Sequence, residues 1–157
     1  SGRINQVQET LGRPFLVENV SSYLSYSASS LGEAEFLAEL CGRCSCGLLL
    51  DVNNIYVSAS NHGFDALEYL EQIPLDRVQE VHLAGYERRE GYLLDAHSRR
   101  VSQPVWTLYR ELLRRAPSLP TLIEWDKDIP RLGVLLEEAA QAAAIAAECA
   151  SPQAGSA

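Results

Sequence analysis

Methionine is absent from the chain. No start residue is present, so Ser1-Gly2 reads as a cut end or a remnant, and the chain is expected to be a piece of something longer. Long apolar runs are also missing. The longest falls far short of the roughly 20 residues that cross a bilayer, and no charged-then-apolar leader opens the chain. A cytoplasmic location is the expectation. Positive charge is scarce: 13 Lys and Arg stand against 21 Asp and Glu, a formal net charge of −8. Nucleic-acid binding needs a basic face that displaces counterions, and docking on anionic lipid needs the same sign. Neither partner is expected. No glycine fingerprint for a dinucleotide follows a strand-like run. Cysteine is limited to Cys41, Cys44, Cys46 and Cys149. The close trio lacks the further ligands of a closed zinc site. Cys41 and Cys44 end a helical pattern, where a free thiol packs as a small apolar group.

What is present is an ordinary globular composition, 46% hydrophobic and 22% charged in 157 residues, enough for one core. Strand and helix patterns alternate. Strands are expected at about 14–18, 47–51, 78–83 and 121–124. Helices are expected at about 3–11, 32–44, 65–72, 103–115 and 130–149. Phe36, Leu37, Leu40 and Cys44 carry the apolar spacing of the second helix. Val105, Leu108, Leu112 and Leu113 carry that of the fourth. The stretches 21–30, 53–65 and 84–102 read as long loops. Such alternation means a parallel sheet in an α/β fold. Four βα units are half of a TIM-type barrel, whose active site is built from loops that follow the strands. Residues 1–150 form this half barrel, and 151–157 are expected to be a disordered tail.

Each strand pattern ends in a residue able to bind a cation: Glu18, Asp51, His82 and Glu124. A strand buried on both faces reads as an unbroken apolar run, and a charge at its end is costly unless paired or bound to an ion. Asp95 and His97 lie two apart, as do Asp51 and Asn53, and in extended backbone such pairs face one side. Imidazole with carboxylate oxygens suits iron, manganese or zinc. Asp126 and Asp128 are expected to cap the last helix instead. His62 is expected in a turn or touching substrate, and Arg88, Arg89, Arg99 and Arg100 in solvent.

Several strings share a pattern with a known family: Val17-Glu18-Asn19 with Ser21-Ser22-Tyr23, Leu50-Asp51-Val52-Asn53-Asn54-Ile55-Tyr56, Asn61-His62-Gly63-Phe64-Asp65, His82-Leu83-Ala84-Gly85, Asp95-Ala96-His97, Pro104-Val105-Trp106 and Leu122-Ile123-Glu124-Trp125-Asp126. In order, over about residues 3–140, the chain resembles the multinuclear non-haem iron-dependent oxidases, which include the methanobactin-biosynthesis oxidase. The resemblance implies a TIM-type barrel with two or three irons that uses oxygen to modify residues, often cysteine, of a ribosomally made precursor peptide. It also implies a leader-presenting partner protein. Carried over, Glu18, Asp51, His82, Asp95, His97 and Glu124 fall on metal-ligand positions, with Asn53 beside them. Asn19, Tyr23, Asn54 and His62 are expected near substrate. Only the C-terminal half of that family is matched, so histidines from the first half are missing. This chain alone is expected to be inactive, poorly metallated and prone to self-association through open edges. Two rivals remain: a divalent-metal barrel isomerase or hydrolase of the xylose-isomerase or apurinic-endonuclease type, and a non-catalytic interaction module.

Overall fold

Apolar runs at the predicted places become four short parallel strands. In the computed structural model, which describes residues 1–151, these are β1 (Leu16–Glu18), β2 (Gly47–Asp51), β3 (Val78–Leu83) and the last strand, β6 (Thr121–Ile123). They lie in chain order β1-β2-β3-β6, each pair parallel. Between β3 and β6 stands an antiparallel hairpin, β4 (Tyr86–Arg89) and β5 (Tyr92–Asp95). The helices are α1 (Gly2–Leu11), α2 (Glu33–Arg43), α3 (Val52–His62), α4 (Ala66–Gln72), α5 (Gln103–Arg115) and α6 (Leu132–Ala150). This is an α/β half barrel. Residues 152–157 of the expected tail lie outside the described residues. No helix among the described residues is long and apolar enough to cross a membrane.

Leu48, Leu50, Val81 and Leu83 of the central strands have no solvent exposure, nor do Val105, Leu112 and Leu113 of α5. Burial of each such side chain stabilises the fold by about 1.5–3 kcal/mol. Cys41, Cys44 and Cys46 are buried free thiols, packed at the start of β2, opposite the end that carries Asp51. Cys44 and Cys46 sulfurs are 3.5 Å apart.

Four expectations need correction. Residues 53–65 do not form a loop: most of them are α3, begun by the Asp51 carboxylate accepting the Asn54 N–H at 2.7 Å and ended by Gly63 at φ 74°. Ile55, Val57 and Ala59 are buried, and that packing outweighs the weak helix propensity of β-branched residues and asparagine. The segment 84–102 contains the β4–β5 hairpin, with Gly91 at φ 82° in its turn. Phe36 faces solvent, while Leu37, Leu40 and Cys41 point inward. The last helix begins at Leu132 with Arg131 at its cap, so neither Asp126 nor Asp128 caps it.

The segment 97–101 is held against the end of β3 by two devices. Gly85 leaves no space: a Cβ there would meet the Arg99 carbonyl oxygen at 2.1 Å. From α6, the buried Glu138 accepts the Val101 N–H on both carboxylate oxygens, at 3.1 and 3.2 Å. Gly85→Ala is expected to cost about 1–3 kcal/mol by overpacking. A thermal melt followed by circular dichroism checks this, and an unchanged Tm would show that the segment yields freely.

Candidate functional site

Parallel pairing brings the strand ends to one rim. Asp51 is the register partner of His82, and the Glu124 N–H donates to the Leu83 carbonyl at 2.9 Å, extending β6 by one rung. Ligand atoms of Glu18, Asp51, His82 and Glu124 all lie within 4.8 Å of one another. A second such group, His97, Glu124 and Asp126, shares Glu124. One oxygen of Glu124 lies 3.1 Å from Nδ1 of His82 and 3.1 Å from Nδ1 of His97. His97 Nε2 lies 2.7 Å from Asp95 and 3.8 Å from Asp51.

Each side chain is placed by its own local cause. Asp51 has no solvent exposure; one oxygen caps α3, and the other, Oδ2, is buried without a hydrogen-bond partner. Asn53 lies in the first turn of α3, not in extended chain, and donates to Asp95 at 2.7 Å. The Asp95 N–H donates to the Tyr23 hydroxyl at 2.8 Å. Next to it, the Asn61 amide brackets Leu93, accepting its N–H at 2.8 Å and donating to its carbonyl at 3.0 Å. His97 has a left-handed backbone, φ 44°, held by Asp126 N–H donating to its carbonyl at 2.8 Å. A left-handed residue that is not glycine is strained, and such strain collects at functional sites.

Asn19 and Asn54, expected near substrate, are buried and bound to backbone. Asn19 accepts the Asp51 N–H at 2.8 Å and donates to the Asp51 carbonyl at 2.9 Å, so its side chain acts as a short strand. Asn54 donates to the Asn19 carbonyl at 3.0 Å. Tyr23 and His62 are more open; His62 Nε2 lies 3.1 Å from the Ser22 hydroxyl. Two residues at the rim are not among the ligand positions expected from the sequence. Asp126, read as a cap, stands 3.4 Å from His97 Nδ1. Glu80 stands 3.5 Å from His82 Nε2. A signal existed for Glu80, which lies two positions before His82 on β3, where alternate residues share a face; Asp126 lies past the end of β6.

The donor set fits a metal. Both ring nitrogens of His97 are buried and close to carboxylate oxygens, yet neither is aligned for a hydrogen bond. The orphaned Asp51 oxygen faces the same space. Six side chains with oxygen or nitrogen donors and no thiolate, Glu18, Asp51, His82, His97, Glu124 and Asp126, suit iron, manganese or zinc. Burial lifts the Asp51 carboxyl to about 7, against the hydrogen bond from Asn54. Burial lowers the His97 pKa, but the close Asp95 carboxylate, with the charges of Asp51 and Glu124, outweighs it and raises the value to about 9. Burial, then the Glu124 charge, raises Glu18.

Fold and site together define a barrel-type α/β chain with an acid–imidazole cluster at its strand ends. A family profile described as "RiPP precursor modification enzyme MbnB/TglH/ChrH" matches residues 1–147, and the chain belongs to that family. It is 55% identical over 140 residues to a UPF0276 protein of Acaryochloris marina, covering 89% of this chain and 51% of that one. With a UPF0276 protein of Anaeromyxobacter the identity is 52% over 145 residues, covering 92% and 51%. With one of Chromobacterium violaceum it is 50% over 145 residues, covering 92% and 52%. The chain spans about half the length of these curated relatives.

A pH dependence follows from the two raised groups. In the metal-free fold both hold protons more tightly than when unfolded. Asp51 therefore contributes stability below about pH 4 that is lost as pH rises through about 7, and His97 contributes stability below about 6.5 that is lost through about 9. Asp51→Asn is expected to flatten the change in Tm between pH 4 and 7 relative to wild type, measured in chelator. Equal slopes would show that Asp51 titrates normally.

Proposed function

We propose that this chain is the C-terminal half of a barrel oxidase that modifies residues, often cysteine, of a ribosomally made peptide. Glu18, Asp51, His82, Asp95, His97 and Glu124 would hold two or three irons, with Asn53 orienting Asp95. Family membership supports the peptide substrate. The observation that carries the metal reading is the Glu124 oxygen standing equally near two imidazoles, because a carboxylate shared by two ligand groups suits neighbouring cations.

Iron bound there would supply redox chemistry with oxygen that protein side chains cannot perform. The chain's own residues do the rest. Asp51 and Asn19 lock the β2 end, so one carboxylate oxygen stays aimed at the cluster. Tyr23 and Asn53 hold Asp95 by its backbone and side chain. Such supporting contacts fix ligand direction and raise metal affinity. His97 gives up its proton when a cation takes its ring nitrogen, so affinity rises with pH. A leader-presenting partner protein and, for this half alone, self-association belong to the same proposal. β1 and β6 each have one strand neighbour, and Leu122 and Leu136 line an apolar cleft of about 430 Å³ beside β6.

One rival draws on the same observation: the donor set also suits manganese or zinc, as a redox-neutral isomerase or hydrolase would use. Elemental analysis of the anaerobically prepared full-length protein loaded with ferrous iron, with oxygen consumption followed alongside, tests both. Glu124→Gln is expected to lower iron affinity at least roughly 10-fold while the melt changes little. Iron retained undiminished by that variant would overturn the shared role of Glu124. Preference for zinc or manganese with no oxygen consumption would favour the rival.

A further inference from the structure

We propose that the groove between the loop after β1 and the α3–α4 corner binds a cationic, amphipathic stretch of the peptide substrate. This rests on the peptide-modifying reading and adds where the peptide lies and what side chains it presents there.

The groove has a volume of about 550 Å³, enough for a few residues of extended chain. It adjoins the rim: Ser22 lines it, and the next residue, Tyr23, hydrogen-bonds the Asp95 backbone. Its walls are largely apolar and open to solvent. Leu24 and Tyr26 are each 69% exposed, and Phe64 is 40% exposed and stacked on Tyr69 with ring centroids 5.9 Å apart. Solvent-facing apolar side chains gathered on one concavity mark a binding surface.

The charge of the groove selects the occupant. Glu33, Asp65 and Glu68 line it, and no Lys or Arg does. Glu33 accepts hydrogen bonds from the Val20 N–H at 3.1 Å and the Tyr69 hydroxyl at 2.9 Å. Asp65 caps α4 through the Leu67 N–H at 2.7 Å. Neither these nor Glu68 forms an ion pair with another described residue, although most of the chain's arginines do. The carbonyl end of α3, at His62 and Gly63, adds partial negative charge beside them. A cation is therefore supplied from outside. Apolar and aromatic walls favour one carried on an alkyl stem over a hydrated metal ion. A Lys or Arg side chain lays its methylenes on Leu24 and Phe64, with its head near Glu68 and over an aromatic face. His62 and Ser22, whose ring Nε2 and hydroxyl lie 3.1 Å apart, also line the groove.

Binding is measured by fluorescence anisotropy with the chain as it stands and no metal added. The probes are a fluorescein-labelled octapeptide of alternating leucine and lysine and its leucine–glutamate counterpart. The lysine peptide is expected to bind at least tenfold more tightly. Glu68→Lys is expected to weaken it roughly fivefold and Phe64→Ala similarly, whereas Glu9→Lys on α1, with the same change of net charge, leaves it unaltered. Amide chemical-shift changes on titration should fall on the groove. No binding, equal binding of both peptides, equal weakening by Glu9→Lys, or shifts elsewhere overturns the proposal. Iron loading of the Glu68→Lys variant is expected to match wild type. The groove and the metal reading thus fail separately: loss of binding leaves the Glu124 result untouched, and the reverse holds.

Discussion

Asp51 is a carboxylate sealed from solvent, and much of the structure answers the problem of accommodating it. An isolated buried charge would be prohibitively costly. One oxygen starts α3, the backbone on either side is held by Asn19, and the remaining oxygen is turned toward His97. The residue thus ends a strand, begins a helix and opens the rim. Fold and site cannot be separated there: removing the charge disturbs a helix start as well as a ligand.

The rim shows the same economy elsewhere. Tyr23 comes from the loop after β1, Asn53 from α3, Asp95 from the hairpin and Asp126 from the segment after β6, yet all converge on one imidazole or its carboxylate neighbour. The His97 backbone is bent into a left-handed form and pinned by that last segment. Gly85, by close packing, and Glu138, by hydrogen bonds, hold the same stretch. A ring fixed from several directions loses little entropy when it takes a ligand, which favours binding by preorganisation.

Much of this was legible in the chain because buried parallel strands leave a plain trace: Leu48-Leu49-Leu50 before Asp51, and Thr121-Leu122-Ile123 before Glu124. The strand order and the meeting of four strand ends follow from that trace. Helix α3 was hidden because Val52-Asn53-Asn54-Ile55-Tyr56-Val57 carries strand and turn formers. Only the Asp51 cap and Gly63 stop marked it, and the packing of Ile55 and Val57 decided it. Asp126 was misread because a carboxylate shortly before a helix usually caps it, whereas here the helix starts later, at Leu132. Asn19 gave no hint that an amide would serve as a strand.

The outer side of β5 carries a further meaning. Strand edges left bare invite another chain to join the ladder, but the Leu93 N–H and carbonyl and the Asp95 N–H are already taken by Asn61 and Tyr23. Two side chains thereby do the work of a covering strand. The hairpin can project beside the rim on that flank without becoming a template for aggregation, and amide hydrogens there should exchange slowly despite the small size of the sheet.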